Sequence, residues 1–157
     1  MISETILYGK LGRFFVILGS RKMIETQRHR DTEIDNTLTY KIIGAAMEVH
    51  RTLGGPGLLE NVYESALCHE LALQGLKIQS QLPVEVVYKG VIVRDPLVLD
   101  ILVEDKIIIE VKAVEKENPI HEVQLLTYLR LTGLRLGLLI NFGSRHIKDG
   151  VKRVING

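Results

Sequence analysis

Residues 99–113, LDILVEDKIIIEVKA, are two runs of branched aliphatic residues on either side of a short charged turn. Asp100, Glu110 and Lys112 stand inside those runs. A strand with one face in water alternates apolar and polar residues; unbroken runs belong to strands covered on both faces. A carboxylate or ammonium in such a place costs several kcal/mol unless it is paired, hydrogen-bonded or bound to a metal. The three charged residues are therefore a buried structural ion pair, strand ends that reach water, or the polar part of a site.

Register sharpens the choice. With Glu104-Asp105-Lys106 as a three-residue loop, Val103 pairs with Ile107 and Asp100 falls opposite Glu110. Lys112, two residues on, then shares the face of Glu110. A two-residue loop would send the two acids to opposite faces, and the loop lacks the glycine that three-residue hairpins favour. We expect the three-residue register. Adjacent carboxylates raise one another's pKa unless a cation sits between them. Lys112 supplies one positive charge, and a divalent ion supplies two. Carboxylate oxygens and water are the ligands of Mg2+, with Mn2+ as its substitute. A cation there can polarise a phosphoryl oxygen and generate hydroxide, with the lysine orienting the water or offsetting developing charge.

Working outward, TYKIIGAAMEVHRTL (39–53) places apolar residues at helical spacing until GGPG at 54–57 stops it. A second helix runs through LLENVYESALCHELALQ and ends at Gly75. IQSQLPVEVVY and VIVRD then form strands joined by a turn at Lys89-Gly90. The strands of Asp100 and Glu110 follow. PIHEVQLLTYLRLT is a third helix ended by Gly133, LRLGLLINFG a further buried strand, and SRHIKDGVKRVI a final helix. The order α-α-β-β-β-β-α-β-α is one α/β domain on a mixed sheet.

Bulk properties agree. A chain of 157 residues forms one domain with a proper core. A net charge of +1 announces no nucleic-acid binder but leaves room for a local basic groove. Trp is absent, which argues against extended base-stacking platforms. The single cysteine, Cys68, permits neither an internal disulfide nor a Cys-based zinc site, and suits the reducing cytoplasm. The apolar run in GRFFVILGS (12–20) is too short for a membrane span, and no small-x-small cleavage site makes it a signal peptide. We expect residues 1–35 to be a flexible leader or an upstream extension ahead of a true start at Met23, with the folded part beginning at Asn36 or Thr37.

An Asp followed by a strand turn and Glu-x-Lys resembles the signature of the PD-(D/E)XK nuclease superfamily. Gly57-x-x-Glu60-x-x-Tyr63 is similar to the motif of the small prokaryotic GxxExxY family within it. IIGAAMEVHRTLG, IHEVQLLTYL and GLLINFG resemble the other segments of that family, in order, over residues 38 to 143. The resemblance implies a restriction-endonuclease-like core, with a mixed central sheet flanked by helices. It implies Asp100 and Glu110 as metal ligands, Lys112 as the catalytic lysine and Glu60 as the acid from the first core helix that completes or tunes the metal site. Gln124 and Tyr128 match the Gln-x-x-x-Tyr pattern of the RecB-like branch. DPLVLD, with Leu99 before the acid, departs from a literal Pro-Asp.

The residues themselves leave some roles open. Glu60 shares a helix face with Tyr63 and Leu67, so it either points at the sheet or stands in water at a helix N-terminus. Glu64, one turn on, is its rival. Gln124 and Tyr128, at i and i+4, either reach substrate or Lys112 together or are a core Tyr beside a polar neighbour. His50 is expected to cap or pack its helix; His69, His121 and His146 lack metal-ligand spacing. Arg145, Lys148, Lys152 and Arg153 are either phosphate contacts or a solvated run. GGPG lacks the Lys-Ser/Thr of a phosphate loop. The expected function is Mg2+-dependent hydrolysis of phosphodiesters in nucleic acid, DNA first, in the cytoplasm, with a partner protein or a homo-oligomer supplying added affinity. The alternative is a non-catalytic nucleic-acid-binding or protein-interaction module on the same fold.

Overall fold

The apolar runs around Asp100 and Glu110 become neighbouring strands with helices on both sides. The computed structural model describes residues 21–157; the first twenty residues of the leader expected over 1–35 lie outside them. In order, the elements are helices α1 (Arg21–Thr52) and α2 (Glu60–Leu73), then strands β1 (Ile78–Val84), β2 (Val87–Tyr88), β3 (Val91–Ile92), β4 (Leu97–Val103) and β5 (Ile107–Lys112). Helix α3 (Ile120–Thr132), strand β6 (Leu136–Asn141), a 3-10 turn (Ile147–Gly150) and strand β7 (Val151–Ile155) complete the chain. Among the described residues the main sheet has five strands in the order β1-β4-β5-β6-β7. Only β5 and β6 run parallel, and α3 is the crossover that a parallel pair requires. The sheet is mixed and flanked by helices, as expected.

Side-chain alternation divides β5 between two cores. Ile107, Ile109 and Val111 face α1 and α2, where Ile42, Ala46, Tyr63 and Leu67 cover them. Ile108 faces α3 with Leu125, Tyr128 and Leu129. Helices on both faces are the reason the strand shows no polar alternation. Glu110 and Lys112 follow Ile108 on the α3 side.

Three expectations need correction. The first helix begins at Arg21, well before Asn36. The stretch 24–36 holds no Gly or Pro to break a helix, and its polarity hid it from a test based on an apolar stripe. Helical spacing is visible in the Thr37 and Thr39 hydroxyls, which donate to the carbonyls of Glu33 (3.1 Å) and Asp35 (2.6 Å). Secondly, Lys89-Gly90 does form a two-residue turn, between Tyr88 and Val91, with positive φ at both positions. The ribbon it closes, however, is a separate small sheet, and β1 pairs with β4. Thirdly, the expected final helix is a short 3-10 turn followed by β7. Asp149-Gly150 interrupts the helical pattern, the β-branched Val151, Val154 and Ile155 favour a strand, and β7 supplies the second neighbour of the fully buried β6.

The loop after β5 is fastened to the end of β6. The buried Asn141 accepts from the Val114 and Gly143 amides through Oδ1 (3.0 Å each) and donates through Nδ2 to the Val114 carbonyl (2.9 Å). The Phe142 amide donates to the Lys112 carbonyl at 2.7 Å. A Cβ at Gly143 would lie 2.3 Å from the Val114 carbonyl oxygen, a backbone atom that cannot move aside. Gly143→Ala should therefore lower the melting temperature by roughly 5 °C or more, corresponding to ~2 kcal/mol. Gly44→Ala, with open space at its Cβ, should be neutral or stabilising in the same thermal melts.

Candidate active site

The hairpin adopts the three-residue loop: Val103 pairs with Ile107, Leu102 with Ile108 and Ile101 with Ile109. Asp100 and Glu110 would be the next pair, and there the backbone ladder stops. The Val111 amide donates instead to Asp100 Oδ2 at 2.8 Å. The strands part at this point, and a carboxylate takes the place of a ladder carbonyl. On the other side of β4, β1 is distorted at Gln81, between the pairs Ser80–Ile101 and Leu82–Leu99. Its φ of 52° is uncommon for a residue other than Gly, Asn or Asp.

Glu110 is 2% exposed. Its Oε1 accepts from Lys112 Nζ at 2.8 Å, while Oε2 is buried without a hydrogen-bond partner. Lys112 Nζ also lies 3.5 Å from Glu60 Oε1, so one ammonium bridges an acid on the strand and an acid at the start of α2. Glu60 thus turns to the sheet while staying 44% exposed. Glu64, its rival, accepts from Gln81 Nε2 at 2.6 Å.

The electrostatics follow from burial and crowding. Burial, then the charge of Glu110, pushes the Asp100 carboxyl up to about 7 against the Val111 hydrogen bond and Lys112; Glu64 adds to the rise. Burial also raises Glu110, opposed by Lys112. For Lys112, burial favours the neutral amine, but the Glu110 hydrogen bond and the charges of Glu110, Glu60 and Asp100 outweigh it and hold its pKa above the ordinary value. Lys112 is an ammonium at neutral pH. With the three acids ionised, one lysine leaves a deficit of positive charge, and acid charges add to burial in raising the two buried carboxyls: that of Glu110 at Asp100 and that of Glu60 at Glu110.

This donor set fits a hard divalent cation in its chemistry. Mg2+ is commonly held by one or two carboxylates and keeps several waters; Glu110 has an orphaned oxygen and its charge is felt at Asp100. Among the described residues no group of three His, Cys, Asp or Glu side chains is arranged to hold a metal. Glu60 is engaged with Lys112.

The expected residues divide into two sets. Asp100, Glu110, Lys112 and Glu60 come together. Gln124 and Tyr128 pair with each other, Nε2 donating to the phenol oxygen at 2.8 Å, and Tyr128 is buried in the α3 core; neither is bonded to Lys112. His50 packs as expected, its Nε2 lying 3.0 Å from the Ser144 carbonyl oxygen. Lys152 is held by Glu117 (2.6 Å) and Glu122 (2.8 Å), and Arg153 by Asn36 (2.8 Å). Arg145 and Lys148 are exposed.

The motif Gly57-x-x-Glu60-x-x-Tyr63 has two structural jobs. Glu60 meets Lys112, whereas Tyr63 is fully buried and stacks on Phe142 at 4.7 Å. Its hydroxyl donates to the Gly55 carbonyl (2.6 Å) and accepts from the Leu58 amide (3.2 Å), tying down the loop that leads into α2. The sequence reading missed Asn141 as the fastener behind Lys112. An Asn closing a fully apolar strand, one residue before a Phe-Gly pair, was the available signal.

Residues 36–154 match the family model of the PD-(D/E)XK nuclease superfamily, and the chain belongs to that superfamily. No curated protein and no solved structure matches it. Nucleases of this superfamily generally use divalent metals. Among the described residues no helix is long and apolar enough to cross a membrane.

The raised Asp100 carboxyl has a measurable consequence. Between the unfolded value near 3.8 and the folded value of about 7, the native state holds more protons than the unfolded one. The group therefore favours folding at low pH, and that contribution is lost as pH rises through 7. In EDTA, Asp100→Asn should raise the melting temperature at pH 8 by about 2–4 °C, as ~1 kcal/mol does in a chain of this length. The gain should shrink at pH 5, as scans at the two pH values will check.

Proposed function

We propose that this protein is a divalent-cation-dependent nuclease that hydrolyses phosphodiester bonds in DNA, a member of the prokaryotic GxxExxY group within its superfamily. The convergence of Asp100, Glu110 and Lys112 where β4 and β5 part, in a chain of this superfamily, carries the reading. Asp100 and Glu110 would hold the cation, Mg2+ or Mn2+. A cation held there would supply Lewis-acid polarisation of a phosphoryl oxygen and a lowered pKa for water.

Lys112 acts as an ammonium. Anchored by Glu110 and Glu60, it donates to the attacking water or to a non-bridging phosphate oxygen and offsets the charge that develops there. A protonated lysine is no general base, so its part is orientation and electrostatics. Glu60 sets where that ammonium stands. Gln124, its amide braced by the hydroxyl of the buried Tyr128, is the side chain of this pair that reaches substrate from α3. The exposed Arg145 and Lys148 are available to flanking phosphates, while Lys152 and Arg153 are occupied within the chain.

The test is cleavage of labelled single- and double-stranded DNA in Mg2+, Mn2+ or EDTA. Cleavage should need the metal, and Lys112→Ala of confirmed fold should reduce it by about 100-fold or more. Metal-dependent stabilisation with no cleavage of any nucleic acid would instead favour a binding module that keeps the metal site.

A further inference from the structure

Among the described residues, two buried side-chain atoms have no hydrogen-bond partner: Glu110 Oε2 and His121 Nδ1. Most buried polar atoms in proteins are satisfied, by protein or by ordered water, so each exception calls for a physical reason. The two come from elements that pack on one another. His121 stands in the first turn of α3, and α3 packs across β5, whose Glu110 is on the α3 side of the sheet. The imidazole is near enough for its positive form to favour the Glu110 carboxylate. The start of the helix does not use the orphaned nitrogen, because the Ile120 and His121 amides are already taken by the Asn118 side chain and carbonyl.

We propose that His121 is a positioning residue of this site, its Nδ1 and the free oxygen of Glu110 holding one water between them that is also a ligand of the cation. The inference rests on the metal-dependent reading above. A buried water bonds to two to four otherwise unsatisfied polar groups, and Glu110 Oε2 and His121 Nδ1 are the two unsatisfied buried side-chain atoms among the described residues. The arrangement also keeps the imidazole outside the direct ligand set, in agreement with the lack of a three-residue His/Cys/Asp/Glu cluster. Residues that orient metal ligands from outside typically contribute about 10- to 100-fold to metal affinity.

Calorimetric titration of the full-length chain with Mn2+ tests this, with Asp100→Asn as a control and circular dichroism to confirm folding. An asparagine amide occupies the place of Nδ1, whereas a glutamine amide reaches the place of Nε2. His121→Asn should therefore bind Mn2+ within about threefold of the wild type, while His121→Gln and His121→Ala should lose about tenfold or more. A purely structural role would not separate Asn from Gln in this way. If Asp100→Asn loses Mn2+ while His121→Ala retains wild-type affinity, or if Asn and Gln fall equally, His121 is no part of the site and the metal reading stands. If the wild type takes up no Mn2+, the metal reading fails and this proposal with it. Should His121→Ala not fold, the Asn and Gln pair decides.

Discussion

One hydrogen bond, from the Val111 amide to the Asp100 carboxylate, marks where the β4–β5 hairpin ceases to be sheet. On the turn side of it the strands are zipped by backbone bonds and filled with Ile, Leu and Val. Beyond it a side chain does the work of a carbonyl, and the gap makes room for charged groups in an otherwise apolar layer. Burial of Glu110, the elevated carboxyl of Asp100 and the ammonium state of Lys112 all follow from that placement. The acids are unfavourable where they are, as in sites that give up some stability for function.

Much of this was legible in the order of residues. Unbroken aliphatic flanks meant a strand covered on both sides, and the period of two put Glu110 and Lys112 on one face. The loop length followed from counting, although Glu104 and Asp105 adopt positive φ without the usual glycine. Other features had no local signal. The polar first half of α1 lacks an apolar stripe. The final segment holds both helix-like charges and strand-like Val and Ile; the need of β6 for a second neighbour, a tertiary demand, decides between them. His121 was set aside for want of ligand spacing, yet packing of α3 on β5, which spacing along the chain cannot encode, brings it to Glu110.

The seven-residue motif at the start of α2 separates positioning from chemistry. Tyr63 is clamped by ring stacking and two hydrogen bonds to the glycine-rich loop, which fixes the point where the helix begins. Glu60 is that helix's first residue, so the clamp determines how far its carboxylate reaches toward Lys112. On the far side of Lys112, Asn141 and Phe142 hold the backbone from β6. The lysine is thus braced through its side chain from α2 and through its main chain from the sheet.

The β2–β3 ribbon has a consequence of another kind. It leaves the sheet after Val84 and returns at Leu97, only three residues from Asp100. Its Val87, Tyr88, Val91 and Ile92 are each more than half exposed, so its length and sequence can drift without disturbing either core. Mutation there alters the outline of the molecule beside the acids and leaves the acids alone. Descendants of one such chain can diversify in what they touch while inheriting the same constellation unchanged.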